Sequence, residues 1–421
     1  MSKRVFATLL AAITTAGACF AQAKDPGVRG GASGGGGPLP GLNTAQLAAF
    51  NNGRTTFQEV DDVAEGLGPR FNLDSCGGCH ASPAIGGASP AVNPQLAIAS
   101  RMGARNTIPP FITANGPIRE VRFKQNRDGS RDGGVHALFT ITGRTDAPGC
   151  AIDQPDFSNA SNLSFRIPTP NFGLGLIEAI PDTTLRNNLQ QDRARKNSLG
   201  ISGHMNSSGN DGTMTRFGWK AQNKSLLVFS GEAYNVEQGV TNVVFMTERE
   251  ENRACLFNAT PEDGFGIDEE NDVPQFANFM RFLNAPSPGA TTASTTNGRR
   301  FFESVGCALC HTPSLTTGRS KIDALSGKTV NLFSDLALHS MGAGLADGIT
   351  QGTAGPDEFR TAPLWGLGQR IFFLHDGRTT DLVGAINEHF SQGSEASGVV
   401  RMFNALPADQ QQDMLNFLRS L

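Results

Sequence analysis

Cys76-Gly77-Gly78-Cys79-His80 and Cys307-Ala308-Leu309-Cys310-His311 decide how this chain is read. C-x-x-C-H is the attachment motif of c-type haem. Two thiols about one helical turn apart reach the two vinyl groups of a porphyrin, and the adjacent imidazole reaches the iron. With seven Cys and seven His in 421 residues, chance supplies one such pentapeptide on the order of 10⁻³ times, and two far less often. A Cys₄ zinc site and a thioredoxin-like redox pair are the rival readings. Neither requires His directly after the second Cys.

Outward from the motifs, residues 1–23 read as an export signal. Lys3 and Arg4 start it, Val5 to Phe20 form the apolar stretch, and Ala21-Gln22-Ala23 is a small-residue cleavage site. The stretch falls short of the ~20 residues a transmembrane anchor needs. Ala16-Gly17-Ala18-Cys19 lacks the aliphatic start of a lipoprotein signal, and no later segment is long and apolar enough to span. A soluble, periplasmic mature chain is the expectation. Cys150 and Cys255 are then the cysteines left over, and in an oxidising compartment they are expected to pair. That bridge would stabilise by roughly 4 kcal/mol in the chain-entropy model; two separate buried thiols are the alternative.

The formal charge of −4, from 35 basic against 39 acidic residues, argues against a nucleic-acid partner, which requires a basic surface. With 50 Gly, 23 Pro and 28 Phe but only 2 Trp and 1 Tyr, the fold should be loop-rich with a Phe and aliphatic core. Residues 24–41 are Gly-rich and read as a flexible linker. Helical spacing starts near Leu42, and 83–270 is broken by Gly, Pro, Asn and Asp into loops, short strands and few helices. It resumes over Val273 to Leu283, over Asn297 to Val305, and over Ala408 to Ser420 with the apolar stripe Met414, Leu415, Leu418. The expected fold is mainly α with much irregular structure and a few short strands. It holds two cytochrome c-type haem domains, 42–285 with a large insertion and 290–421.

What faces His80 and His311 decides between chemistry and electron transfer, since only an iron with an open position reacts. The candidates are His136, His204, His339, His375, His389, Met102, Met341 and Met402. Three stretches here, Asp335–Gly342, Glu358–Leu367 and Phe373–Arg378, resemble the di-haem oxidoreductases (also labelled thiol-oxidoreductase-like). So do Arg166–Pro170, Gly173–Glu178 and Arg216–Ala221. These proteins are relatives of the bacterial di-haem cytochrome c peroxidases, and the resemblance covers nearly all of 45–421.

The resemblance implies two covalent haems and a peroxidase-like activity on peroxide or oxygen. The N-terminal haem would be the reactive centre and the C-terminal one the electron relay. It implies a small cytochrome or cupredoxin as electron donor, and adds calcium to the cofactors to look for. In the peroxidases the methionine completing the electron-transfer haem follows a similar His-Asp-Gly run. Here His389 stands there, so His389 is expected opposite His311, with Met341 as the alternative. His375 is expected to bond a propionate, and Tyr234, the sole tyrosine, lies in the other half. Trp219 matches the tryptophan between the haems and Glu237 the acid of the peroxide pocket, with Glu178 as second choice. Leu96 occupies the place of a sixth-ligand histidine, so the first iron is expected to be open, or capped by His136, His204 or Met102. A pure electron-transfer cytochrome, and an oxygenase or protein-modifying enzyme, are the competing functions.

Overall fold

The computed structural model describes residues 22–102, 108–132, 145–249, 252–264 and 271–421, and the backbone of 135–136 and 139–140. Most of residues 1–23, read from the sequence as an export signal, and the side chain of His136 lie outside them. Two helix pairs frame the fold. Asn43 opens the Thr44–Phe57 helix by accepting from Gln46 N, and the Gln46 side chain returns a bond to Asn43 N. Thr292 and Thr295 open the Ala293–Val305 helix in the same reciprocal way. These exchanges satisfy amides that a helix start leaves unpaired.

The first helix packs on Asp272–Phe282, and the second on Ala408–Ser420. Each crossing is made at a glycine. A Cβ at Gly53 would overlap the carbonyl of Gln275, and one at Gly298 the carbonyl of Asp413. Four residues after each glycine a phenylalanine enters the core: Phe57, 4.8 Å from Phe279 between ring centroids, and Phe302, 5.5 Å from Phe417. Around these contacts lie the two largest apolar clusters among the described residues.

Strands are short. Val135–His136, Glu120–Phe123 and Leu163–Arg166 form one antiparallel sheet in that order, with Glu120 opposite Arg166. Leu338–Ser340 pairs with Glu358–Arg360. The fold is thus helical with few short strands and much irregular chain, as the composition predicts. Two expectations are corrected. The middle section holds more helix than the breakers imply: Gln95–Arg101, Leu174–Glu178, Asp182–Gln190, Arg193–Leu199 and Leu226–Ala233. Residues 24–41 are not a free linker but a strap. Asp25 pairs with Arg419 at 2.6 Å, Arg29 N donates to Gly368 O, and Leu39 N donates to Phe282 O. Gly36 takes φ +84 where a Cβ would come within 2.7 Å of Ala84 Cβ, so this glycine serves close approach rather than freedom. Among the described residues no helix is long and apolar enough to cross a membrane.

Candidate haem sites and the wall between them

Each pentapeptide closes one tight turn. His80 N donates to Cys76 O at 3.0 Å and His311 N to Cys307 O at 2.9 Å. That turn brings both thiols and the imidazole to one side. The four thiols are free, while Cys150 and Cys255 form a disulfide beside Val63 and Ala147. Phe57 lies 5.9 Å from the His80 ring and Phe302 6.4 Å from that of His311.

Each motif opens on its own cavity. In both, a backbone carbonyl holds the imidazole by Nδ1: Gly87 O for His80 at 2.9 Å and Phe333 O for His311 at 3.0 Å. Burial lowers both to about 4, so both rings are neutral with Nε2 left as a lone-pair donor. Burial pushes the Cys76 and Cys79 thiols well up, and Cys307 to about 12. Burial thus favours the protonated form of these three thiols.

The second cavity holds another such ring. His389 is half-buried, lines it beside His311, and has Nδ1 2.7 Å from Ala385 O. Met341 lines the same cavity, whereas Met402 is exposed and lines neither. His339 also faces it but has both ring nitrogens engaged, Nδ1 with Glu395 at 2.7 Å and Nε2 with Asp335 at 3.1 Å. His204 is tied to Glu358 at 2.9 Å, and Met102 sits in a separate core cluster. His375 stacks on Phe359 at 4.3 Å and burial lowers it to about 4. The one His/Cys/Asp/Glu group with clustered ligand atoms among the described residues is Cys310, Asp335 and His339, not the oxygen set that calcium takes.

The first cavity is acidic at its far wall. Glu237 and Glu120 hydrogen-bond to each other. Burial tends to raise Glu120, but Arg122, donating from Nε at 2.6 Å, overrides it and holds the carboxylate at about 2. Burial and the neighbouring Glu120 charge push Glu237 well above the usual carboxyl range. One proton on Glu237, shared with a Glu120 carboxylate, is the state near neutral pH. Glu120 was invisible in the sequence; only the strand pairing with Leu163–Arg166 brings it there. Glu178 lines neither cavity. Its oxygens accept from Leu226 N and Arg281 Nε, both at 2.9 Å.

Trp219 is the one residue lining both cavities among those described. Its Nε1 donates to Ile167 O at 2.9 Å, and Ile167 N donates to His375 O at 2.7 Å. The indole is therefore pinned in the partition by a backbone residue shared with both sides.

The sequence model of a family described as "Di-haem oxidoreductase, putative peroxidase" matches residues 136–421. The chain belongs to this family. A search of curated proteins gave no match. Among solved structures, this di-haem oxidoreductase is similar to Kuenenia stuttgartiensis hydrazine synthase pressurised with 20 bar xenon, at 19% identity and TM-score 0.24. That likeness covers 36% of this chain and only 55% of the other. It is also similar to a MauG-like protein associated with microbial copper homeostasis, at 15% identity and TM-score 0.30, over 61% and 91% of the two chains.

The residues present fit the haem that the family implies. Each cavity offers two free thiols, a neutral imidazole and a buried guanidinium nitrogen lacking a protein partner: Arg166 Nε at the first and Arg360 Nη1 at the second. Such orphaned cationic donors suit propionate carboxylates.

Proposed function

We propose that the protein is a periplasmic, peroxidase-like oxidoreductase with two covalently attached haem c groups, one in 42–285 and one in 290–421. Residues 1–23 would be its export signal and 24–41 the strap joining the two parts. Cys76 and Cys79 would hold the first group by thioethers and His80 by its Nε2. Cys307, Cys310 and His311 would hold the second, with His389 as its other ligand and Met341 the alternative. Bound haem supplies redox chemistry, peroxide cleavage where a position is open and single-electron transfer where two strong ligands close it.

The chain's own groups do the rest. Glu237 holds a proton facing the first cavity and gives it to the departing oxygen of peroxide. Glu120, ionised beside Arg122, shares that proton, so that the pair takes up the matching proton as Glu237 releases its own. Leu96, where a sixth-ligand histidine was sought, packs in the apolar cluster beside Cys79. Trp219 offers an indole path for the second electron. A small cytochrome or cupredoxin would supply electrons at the second site.

One observation carries the proposal. A single tryptophan separates a cavity walled by a carboxyl pair from a cavity walled by two imidazoles held alike. The test is the electronic spectrum and EPR of the ferric protein. A high-spin component that shifts with cyanide or peroxide supports it, while low-spin signals unmoved by added ligand and by partial reduction leave a pure electron carrier. His389→Ala should keep its haem attached and lose the low-spin bis-imidazole signal. An unchanged signal would transfer the ligand role to Met341.

A further inference from the structure

The chain has one tyrosine, and its surroundings are not those of an ordinary core phenol. Tyr234 is 1% exposed. It begins the π-helical turn Tyr234–Gln238, which ends in Glu237 and Gln238 at the first cavity. Its Oη donates to Asp272 Oδ2 at 2.9 Å, and the Asp61 carboxyl lies near enough to act on it electrostatically. Asp61 in turn accepts from Gln238 Nε2 at 2.5 Å, and Gln238 Oε1 lies 3.0 Å from Cys76 Sγ. On its other side the phenol ring meets Phe276 edge-on at 5.1 Å, and Phe276 lines the first cavity. One layer of side chains therefore separates the phenol from the proposed first haem.

A phenol gives up an electron readily only if its proton leaves with it, because the oxidised phenol is a strong acid. In an apolar interior that demands a built-in base. Two carboxyls at one hydroxyl are more than hydrogen bonding needs, and burying them is costly. Burial, with each carboxyl's acidic neighbours, raises Asp61 to about 7 and Asp272 to about 6, so either accepts a proton more readily than a surface carboxylate.

We infer that Tyr234 is a redox-active residue that returns an electron to the first haem site, with Asp272 receiving its proton. The inference rests on the peroxidase reading. Reduction of hydrogen peroxide to two waters takes two electrons and two protons. In the fully ferric protein the first haem site is left short of those electrons, and Tyr234 restores one. Its O–H bond breaks, the electron goes to that site, the proton goes to Asp272 Oδ2, and a neutral phenoxyl radical remains. A one-electron donor protein reduces it, and the proton returns. The device keeps unspent oxidising power off the surrounding phenylalanine and methionine side chains when donor is scarce.

The test uses fully ferric holoprotein, without donor, mixed with hydrogen peroxide and frozen for EPR. With one tyrosine in the chain, ring-deuterated tyrosine labels this site alone. A free-radical signal should appear, narrow on deuteration and vanish in Tyr234→Phe, while the haem absorption spectra of that variant stay as in the wild type. Asp61→Asn and Asp272→Asn together keep the phenol but remove both bases, and should lower the radical yield by roughly tenfold or more, since a placed base is worth about 10²–10⁴ in rate. A haem spectrum that responds to peroxide without a deuterium-sensitive radical, or a signal that survives Tyr234→Phe, overturns the inference alone. A haem spectrum unmoved by peroxide overturns the peroxidase reading and this inference with it.

Discussion

The two motif regions are built alike up to the imidazole and differ beyond it. Asn52-Gly53-Arg54 with Phe57 and Asn297-Gly298-Arg299 with Phe302 set the same crossing, put the same ring beside the motif histidine, and leave Nε2 facing a cavity. Across the first cavity stand Glu237, Glu120 and Arg122; across the second stand His389 and Met341. On the proposed reading the motif scaffold is indifferent to function, and reactivity is decided by the far wall, where a proton donor suits chemistry and a second imidazole suits storage of an electron.

The largest effect should come from the wall that distinguishes the first region. Glu237→Gln removes the proton donor and keeps the shape. The peroxide reaction, followed by stopped-flow absorbance, should slow by about 10²–10⁴, or about 3–5 kcal/mol in barrier, with the ferric spectrum intact. Unchanged rates would erase the contrast, because that wall would then hold no working proton donor.

His375 sits on the second cavity's side of the partition, and burial holds it neutral. Its folded pKa of about 4 lies below the ordinary 6.5, so between these values the unfolded chain binds a proton that the folded one does not. The folded state should therefore lose stability as pH falls from about 6.5 to 4, by on the order of 3 kcal/mol from this group. His375→Gln should flatten that part of the denaturation profile. A parallel loss in the variant would mean that His375 takes up a proton in the folded state without penalty.

The likeness of the two scaffolds can be tested next. Gly53→Ala and Gly298→Ala each drive a methyl into a backbone carbonyl, and should cost about 1–3 kcal/mol by denaturant melting. Similar costs sharpen the comparison. A silent substitution at either site would show that the crossings are not equivalent.

Sequence reading reached the framing helices because their apolar residues recur at helical spacing: Val273, Phe276, Phe279 and Met280 are all buried on one helix. It missed helices such as Asp182–Gln190, which buries only Leu185 and Asn188 and so has no apolar stripe to detect. The glycine run of 24–41 misled for a different reason. Glycine marks either freedom or close approach, and only the neighbours decide which. At the candidate site, Trp219, Glu237 and His389 were legible through a family pattern, and all three line the cavities. Glu120 was not, because a carboxylate on a strand gains meaning only from the register that sets it opposite Arg166. The repeated Asn-Gly-Arg before each motif was the one overlooked signal, and it would have marked both helix crossings.

The smallest effect should fall on Glu178, and its smallness is informative. A glutamate inside a family motif invites a catalytic role, yet here one carboxylate oxygen receives the Leu226 amide at the start of the Leu226–Ala233 helix and the other receives Arg281. Both partners are structural, and the carboxylate charge favours the helix start. Glu178→Gln retains an acceptor for one bond while losing charge at a partly exposed ion pair, so about 1 kcal/mol of stability should be lost. The peroxide rate should not change. Should Glu178→Gln slow the reaction as Glu237→Gln does, the acid wall could not lie at the first cavity alone, and the division of labour between the two regions would have to be redrawn.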